Sequence, residues 1–333
     1  MNVTALYFSP TGGSKRSALS LAAALAPEGF AELDITCGAV AGDFGPGDVV
    51  VFSVPCYNGR VPEVAAGRLE QVHGHRTPCI ISITYGNRDY DDSLLELQDI
   101  VQRQGFIVQG AAALVGQHTF GEIQVGRPDA GDAAENRRFV QQLLAARQGD
   151  LASPVALAIK GQRPYRGEGR GVGFVPLTSE ACTDCGLCAS LCPVQAIAAD
   201  HRSIDGTRCL SCFRCIRSCP AGAKHMDVES YLDFARDFSR RLKARRENEY
   251  IFAAFSSFTC STVTPLTAPV SVFSGCIASR SGLTFSTAFS SFTFPCRAFL
   301  CFSKAAISCS AAITCSWTAS SRWAAALYSG SSI

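Results

Sequence analysis

The chain contains the stretch Cys182-Thr-Asp-Cys185-Gly-Leu-Cys188-Ala-Ser-Leu-Cys192-Pro193, and then a second, Cys209-Leu-Ser-Cys212-Phe-Arg-Cys215-Ile-Arg-Ser-Cys219-Pro220. Both stretches have the pattern C-x2-C-x2-C-x3-C-P. Three thiolates at this spacing can surround one face of a cubane metal cluster, because the residues between them form tight turns whose N–H groups can point at sulfur. The fourth cysteine, which proline follows, leaves the loop in another direction. The sequence therefore predicts a metal-binding module, which we place at residues 178–225.

Zinc is the main alternative metal for such a module. Zinc sites usually take their ligands from two C-x2-C pairs that a dozen or more residues separate. Here each run holds four cysteines close together and repeats with the same proline, which favours iron–sulfur clusters. Disulfides are disfavoured because the N-terminus shows no basic segment leading into an apolar run, as a secretory signal would. We therefore expect a reducing, cytoplasmic location.

The two runs resemble the bacterial two-cluster ferredoxins over the whole module. In that family the fourth cysteine of each run ligates the other cluster. The resemblance implies a small α+β module with two [4Fe–4S] clusters and a crossed set of ligands. The first cluster would be held by Cys182, Cys185, Cys188 and Cys219, and the second by Cys209, Cys212, Cys215 and Cys192.

The first half of the chain alternates apolar runs with amphipathic stretches. The apolar runs cover residues 3–8, 30–36, 48–55, 78–85 and 107–115, and helical patterns cover residues 15–25, 61–72, 91–104 and 133–148. This alternation is typical of βαβ units around a parallel sheet that is buried on both faces. We predict an α/β domain over residues 1–150, a doubly wound parallel sheet of five strands.

Three loops at predicted strand ends carry ligand-binding residue types. The first is Ser9-Pro10-Thr11-Gly12-Gly13-Ser14-Lys15, where hydroxyls, glycines and a helix N-terminus could cradle an anion. Neither the Walker pattern nor G-x-G-x-x-G occurs there, so a monophosphate is favoured over a triphosphate or a dinucleotide. An ordinary strand-to-helix turn is the alternative. The other loops are residues 55–62 and 84–92, and each offers an aromatic ring, a glycine and an amide.

Loops of this kind in this order resemble the flavodoxin family, over residues 1–148. In that family they hold the phosphate of FMN and flank its ring. The resemblance implies that Ser9, Thr11, Gly12, Gly13 and Ser14 contact phosphate. It also implies that the ring is surrounded by Tyr57, Asn58, Gly59, Thr84, Tyr85, Gly86, Asn87 and Tyr90. Two of these residues have an alternative role without flavin: Tyr57 and Tyr85 could instead cap strand ends.

Four further residues attract attention without a predicted catalytic role. His118 follows the fifth strand and could lie near the flavin or the cluster module, but a single histidine there is more often structural. Cys37, Cys56 and Cys79 are expected to be small buried hydrophobic residues. The sequence offers no convincing nucleophilic triad.

The remaining segments differ in composition from the two modules. Residues 151–177 are rich in Gly, Pro and Arg and are predicted to be a linker, and residues 226–252 are predicted to form a C-terminal helix. Residues 253–333 form a Ser-rich tail, which from residue 256 onward has no Asp or Glu and which we expect to be disordered or non-native. The whole chain has 333 residues and a net charge of +2, too small to attract nucleic acid or acidic membranes. No uninterrupted apolar run is long enough to predict a membrane span.

The body of the chain resembles flavodoxin–ferredoxin fusion proteins. This implies an electron-transfer protein in which FMN and two [4Fe–4S] clusters exchange electrons, with redox proteins as partners and without nucleic acid. Two alternatives are open from the sequence. One is a flavin-dependent reductase with its own small-molecule substrate, and the other is a ferredoxin whose flavodoxin-like domain is an empty docking module.

Overall fold

The apolar runs of the first half form the strands of one sheet. The computed structural model describes residues 1–169 and 173–253, which belong to one compact unit, Met1–Cys260. The strands are β1 Asn2–Tyr7, β2 Ala31–Asp34, β3 Gly42–Phe44, β4 Asp48–Pro55, β5 Val72–Gly74, β6 Thr77–Tyr85, β7 Phe106–Val115, β8 Leu177–Thr178, β9 Lys224–His225 and β10 Glu249–Phe252. The helices are α1 Gly13–Leu25, α2 Glu63–Leu69, α3 Ser93–Arg103, α4 Ala130–Arg147, α5 Leu187–Ser190, α6 Arg214–Ser218 and α7 Glu229–Arg241.

The main sheet has the order β10-β7-β6-β4-β1-β2. Strands β2, β1, β4, β6 and β7 are parallel to their neighbours, and β10 is antiparallel to β7. Counted over the parallel strands alone, the order is 2-1-3-4-5, which is one of the two common orders of doubly wound sheets. The loops that follow β1, β4, β6 and β7 therefore emerge at the same edge of the sheet.

Helices cover both faces of this sheet. The side chains of β1 alternate, so that Leu6 joins the hydrophobic cluster beneath α2 and α3, whereas Val3 and Ala5 join the cluster beneath α1 and α4. Because both faces of the sheet are covered, the central strands β4 and β6 are mostly apolar and are buried along nearly their whole length. The fold thus confirms the mixed α/β class and the mostly parallel sheet.

The C-terminal segment differs from the helix predicted over residues 226–252. Helix α7 ends at Arg241, and the chain then returns to the sheet as the antiparallel edge strand β10, so that the sheet has six strands and not five. Packing against α4 explains the strand. The ring of Tyr250 stacks on Phe139 with 4.9 Å between centroids, and its hydroxyl hydrogen-bonds to Asn136 Oδ1 at 2.8 Å.

Residues 162–166 of the segment predicted to be a linker lie against α3 and the residue before it. Asp99, on α3, accepts hydrogen bonds from Arg163 at 2.6 and 2.5 Å and from the hydroxyl of Tyr165. The backbone N–H groups of Gln162 and Arg166 donate to the carboxylate of Asp92 at 2.9 and 2.7 Å. Acidic side chains therefore fix a segment that has little apolar surface of its own.

The cysteine-rich module is closed by the short antiparallel pair β8–β9. Lys224 is buried there, and its Nζ donates to Thr178 Oγ1 at 2.6 Å. The Ser-rich segment 253–333 lies outside the described residues from residue 254 onward. Among the helices of the described part, none combines the length and the apolar character needed to cross a membrane.

Candidate functional site

A cavity of about 280 Å³ lies at the carboxyl ends of β1, β4, β6 and β7. All three predicted ligand loops contribute to it, through Ser9, Thr11, Gly13, Ser14, Tyr57, Asn58, Thr84, Tyr85 and Gly86. The loop after β7 adds Gln117, His118, Thr119 and Phe120, and the cysteine module and α7 add Leu210, Ser211, Phe234 and Phe238. We call this cavity the sheet-edge pocket. Its volume is near the lower end of the range of about 300–1,000 Å³ for small-molecule sites.

The loop after β1 forms the anion-binding side of the pocket. Gly12 has φ 87° and precedes α1, and the hydroxyl of Ser9 accepts a hydrogen bond from the N–H of Lys15 at 2.9 Å. No hydrogen bond of the described residues uses the N–H groups of Thr11, Gly13 and Ser14. The first turn of α1 has no acidic side chain. Free N–H groups and the positive end of the helix dipole therefore meet at this side.

The side chain of Lys15 is directed to the sheet surface and not to the pocket. Its Nζ lies 3.0 Å from Glu32 Oε2 and over the ring of Tyr7. Gly12, which the resemblance assigned to phosphate, caps the helix and lies outside the described pocket lining.

The loop after β4 is a tight two-residue turn. The N–H of Tyr57 donates to the carbonyl of Arg60 at 2.9 Å, and the reverse bond is 3.0 Å. Asn58 and Gly59 both have positive φ, 50° and 83°, as a type I′ turn requires. Gly59 faces Asp91 in the loop before α3: a Cβ at Gly59 would lie 2.8 Å from the Cβ of Asp91, so this glycine serves the turn and does not line the pocket.

The loop after β6 divides between the pocket and the C-terminal segment. Thr84, Tyr85 and Gly86 line the pocket, whereas Asn87 and Tyr90 do not. The amide of Asn87 donates to the carbonyls of residues 242 and 244 at 2.9 and 2.7 Å, and the hydroxyl of Tyr90 donates to Glu249 Oε2 at 2.7 Å. Both residues were predicted to surround a ring, but Asn87 bonds to the chain after α7 and Tyr90 bonds to Glu249, the first residue of β10.

His118 forms part of the pocket wall. Its Nδ1 accepts a hydrogen bond from the N–H of Phe120 at 2.8 Å, and its ring packs edge-on against Phe238 with 5.0 Å between centroids. Burial lowers the pKa of His118 to about 4, and the charges of Arg88 and Arg217 act in the same direction. The imidazole is therefore neutral at pH 7. Its contacts agree with the structural role expected from the sequence.

An aromatic cluster joins the pocket to the cysteine module. The ring of Phe120 lies 5.1 Å from that of Phe213, which stands between Cys212 and Arg214. On α7, Phe234 and Phe238 stack with 5.1 Å between centroids and cover the pocket. The roof of the pocket is therefore apolar and aromatic, as a flat ring system would require.

The polar groups in the pocket favour an anionic ligand. Among its described lining residues no Asp or Glu occurs, and the guanidinium of Arg88 is ion-paired with Asp91, which lies outside the lining. One buried hydroxyl of the lining, Ser211 Oγ, has no hydrogen-bond partner among the described residues. An unpaired buried hydroxyl costs about 1–3 kcal/mol. A ligand that paired with the Ser211 hydroxyl would recover this energy.

The eight cysteines surround two small cavities in the module. The first is lined by Cys182, Cys185, Cys188 and Cys219, and the second by Cys192, Cys209, Cys212 and Cys215. Backbone N–H groups point at three of the sulfurs: Ala196 at Cys192 (3.3 Å), Ser211 at Cys209 (3.4 Å) and Ala223 at Cys219 (3.3 Å). Nowhere in the described residues do three or more His, Cys, Asp or Glu side chains group as ligands for a single metal ion.

The second cysteine cavity borders the sheet-edge pocket. Leu210 lines both, and Ser211 lines the pocket from its place between Cys209 and Cys212. Burial raises the pKa of Tyr57 well above its usual value, and the nearby Cys212 and Cys209 raise it further. The first cavity shares no described lining residue with the pocket. The second cysteine cavity, and not the first, therefore borders the sheet-edge pocket.

The three isolated cysteines do not behave alike. Cys79 is fully buried, and burial raises its pKa strongly. Burial also raises the pKa of Cys56 to about 11. Cys37 is exposed, against the expectation that it is buried, and its sulfur lies 3.6 Å from the carbonyl of Leu191.

Several pocket residues carried no signal that the sequence could reveal. Leu210 and Ser211 belong to the second cysteine run, and Phe234 and Phe238 belong to the segment predicted only to be a C-terminal helix. The repeat offered one clue: Ser211 occupies the position that Asp184 has in the first run. A change from a charged to a small uncharged side chain at equivalent positions is typical of a surface that becomes buried.

Comparisons with known proteins support the iron–sulfur assignment. Residues 181–223 match the family model of the 4Fe-4S dicluster domain. This match supports iron–sulfur clusters in this part of the chain over the zinc alternative. It covers both cysteine runs.

A curated relative is similar over a shorter stretch. It is named "Putative electron transport protein YsaA", from Escherichia coli (strain K12), and is 40% identical over 74 residues, 21% of this chain and 46% of the relative. The chain thus spans about half the length of the curated relative it matches. Among solved structures, rubredoxin oxygen:oxidoreductase from the anaerobe Desulfovibrio gigas matches with a TM-score of 0.29 and 16% identity, over 46% of this chain and 37% of that chain. That similarity is too weak to establish fold or function.

Proposed function

We propose that this protein transfers electrons between an FMN bound in the sheet-edge pocket and two [4Fe–4S] clusters bound by the cysteine module. One observation carries the proposal: the loop between Cys209 and Cys212 is itself a wall of the pocket. A ligand in the pocket would therefore contact the loop that ligates the second cluster. The electron-transport name of the curated relative is consistent with this function.

The residues of the pocket fit FMN in three respects. The N-terminus of α1, with Ser9, Thr11, Gly13 and Ser14, would hold the phosphate through free N–H groups and hydroxyls. Aromatic side chains would flank the ring, and the unpaired hydroxyl of Ser211 would meet one of its polar atoms. The strand order 2-1-3-4-5 is that of flavodoxin-like folds, which bind ligands at this edge of the sheet.

The cysteines fit two cubane clusters with crossed ligation. Each cavity takes three thiols from one run and the fourth from the other, so that Cys219 completes the first set and Cys192 the second. N–H groups directed at the sulfurs of Cys192, Cys209 and Cys219 would stabilise the negative charge of thiolate ligands.

The two clusters would have different roles because of their positions. FMN supplies an acceptor that takes two electrons and releases them singly, and each cluster carries one. The second cluster borders the pocket and would exchange electrons with it. The first lies near the surface, where Cys185 is exposed, and would exchange electrons with partner proteins. The protein would hold the second cluster next to the sheet-edge pocket and surround both with apolar side chains.

A flavin-dependent reductase with its own substrate is the principal alternative. The sheet-edge pocket has a volume of about 280 Å³ and is covered by Phe234, Phe238 and the cysteine loop. Because this space is close to the minimum for one ligand, a second substrate beside the flavin would need an opening of the roof. We therefore favour the electron carrier.

The proposal is tested by anaerobic purification with iron, sulfide and flavin analysis. We expect about eight iron atoms and one FMN per chain. Four iron atoms, zinc, or an absence of flavin would each contradict a specific part of the proposal. Steady-state reduction of quinones or nitro compounds by the holoprotein alone would instead support the reductase.

A further inference from the structure

The two cysteine runs are repeats, and each position in one has a counterpart in the other. Asp184 and Ser211 occupy the same position, immediately before the second cysteine of their runs. Their backbones are alike, with φ 56° and 53°. Both lie in the left-handed region, where a residue with a Cβ is strained and glycine is not. The same local geometry therefore presents two different side chains.

The surroundings of these two side chains are opposite. The side chain of Asp184 is 74% exposed, and its carboxylate lies 2.7 Å from His201 Nδ1. Ser211 is 2% exposed, lines the sheet-edge pocket, and has a hydroxyl that hydrogen-bonds to no other described residue. The charged residue thus faces solvent, and the uncharged hydroxyl faces the pocket.

The loop fixes the direction of the Ser211 side chain. The N–H of Ser211 donates to the sulfur of Cys209 at 3.4 Å, and the next residue, Cys212, is also a ligand in the second set. Glycine would satisfy this backbone at lower cost, and a buried hydroxyl without a partner is unfavourable. A ligand that hydrogen-bonds to the hydroxyl would offset both the backbone strain of a non-glycine residue and the burial of the hydroxyl.

We propose that Ser211 is a flavin-binding residue contributed by the cluster module, and that its hydroxyl hydrogen-bonds to the polar edge of the flavin ring. This proposal rests on the proposed function, because it needs a flavin in the pocket. It adds a direct link between the bound flavin and the loop of the second cluster. Flavin affinity then depends on a residue outside the α/β domain.

The test compares Ser211→Ala and Ser211→Gly with Asp184→Ala as the matched control. FMN is titrated into anaerobically reconstituted protein by fluorescence quenching, and iron content and cluster EPR spectra are recorded for each variant. We expect both Ser211 variants to bind FMN about threefold to tenfold more weakly, the loss of one hydrogen bond. Because glycine suits the left-handed backbone, its loss of affinity cannot come from strain. Asp184→Ala should bind as the wild type does.

Each result decides between distinct explanations. Binding within twofold of wild type by both Ser211 variants would overturn the proposal, as would equal weakening by Asp184→Ala. A Ser211 variant that loses iron is compared with Cys209→Ala, which damages the same cluster but keeps the hydroxyl. Weaker FMN binding by the Ser211 variant supports the proposal, and equal binding overturns it. A wild-type protein that binds no FMN would contradict the proposed function itself, and this proposal with it.

Discussion

Gly86 tests how tightly the wall of the sheet-edge pocket is packed. A Cβ at this position would lie 2.6 Å from Cγ and 2.8 Å from Cβ of His118, and closer still to Cδ2. Carbon atoms are at their optimal separation near 3.5–4.0 Å, so Gly86→Ala must displace the imidazole by roughly 1 Å. That displacement would break the hydrogen bond from the Phe120 N–H and disturb the contact with Phe238.

The magnitude follows from opposing contributions. Overpacking costs about 1–3 kcal/mol, and the lost hydrogen bond costs about 1 kcal/mol more. Alanine has less conformational freedom than glycine in the unfolded chain, and this raises the free energy of unfolding by about 0.4–1 kcal/mol. We therefore expect Gly86→Ala to lower the free energy of unfolding by about 2 kcal/mol and to weaken FMN binding, because the displaced ring enters the pocket.

Urea unfolding and FMN titration of the holoprotein would measure both effects. Gly67→Ala is the control, because a Cβ at Gly67 would meet no atom of the described residues within 4 Å and α2 gains about 0.5–1 kcal/mol from alanine. The double variant Gly86→Ala/His118→Ala should be more stable than the sum of the single changes predicts. Unchanged stability and affinity in Gly86→Ala, or strict additivity in the double variant, would refute this view of the wall.

Three further predictions concern the clusters, the pH dependence and the pocket hydroxyls. Cys192→Ser should remove the iron of the second cluster and Cys219→Ser that of the first, as EPR and iron analysis can show; loss of the opposite cluster in either case would refute crossed ligation. Burial lowers the folded-state pKa of His118 to about 4 from 6.5, so its contribution to stability is complete above pH 6.5 and is lost as pH falls toward 4. The free energy of unfolding should fall by about 1.4 kcal/mol at pH 5.5 for this reason. His118→Gln should therefore flatten the pH dependence of the urea midpoint. An unchanged slope in this variant would argue against a buried neutral imidazole. Tyr85→Phe removes a buried hydroxyl that no described residue pairs with, so urea unfolding should find the flavin-free protein as stable or more stable; lower stability would indicate a protein partner for the hydroxyl, such as Arg246, whose side chain lies near it.

The sheet could be predicted from the sequence because its signals are local. The predicted strand over residues 48–55 coincides with β4, since an apolar run of this length has no alternative to burial on both faces. The turn at Asn58 and Gly59 is equally local, because these residue types tolerate positive φ. Each cysteine run likewise carries its ligand spacing within a dozen residues.

The errors concern contacts between residues far apart in the chain. The edge strand β10 exists because β7 and α4 receive it, and four residues cannot reveal that alone. Asn87 and Tyr90 have the residue types of a ligand loop, but their partners lie about 155 to 159 residues away in the sequence. These long-range partners decide that both side chains bond to the C-terminal segment and lie outside the lining of the sheet-edge pocket.

The pocket roof is the clearest example of this limit. The three predicted loops supply its floor, whereas Ser211 and Phe238 come from the cluster module and α7. Nothing in either segment indicates that it covers the carboxyl edge of a sheet formed by the first half of the chain. Only the folded chain brings the cluster loop to the predicted flavin site.

The central claim is that flavin and clusters form one electron-transfer unit within a single chain. The most direct test is photoreduction of the flavin in anaerobic holoprotein, followed by time-resolved absorbance at flavin and cluster wavelengths over a range of protein concentrations. We predict that electrons pass from flavin to cluster in a first-order process whose rate does not depend on protein concentration. A rate proportional to protein concentration, or a reduced flavin that leaves the clusters oxidised, would contradict the claim.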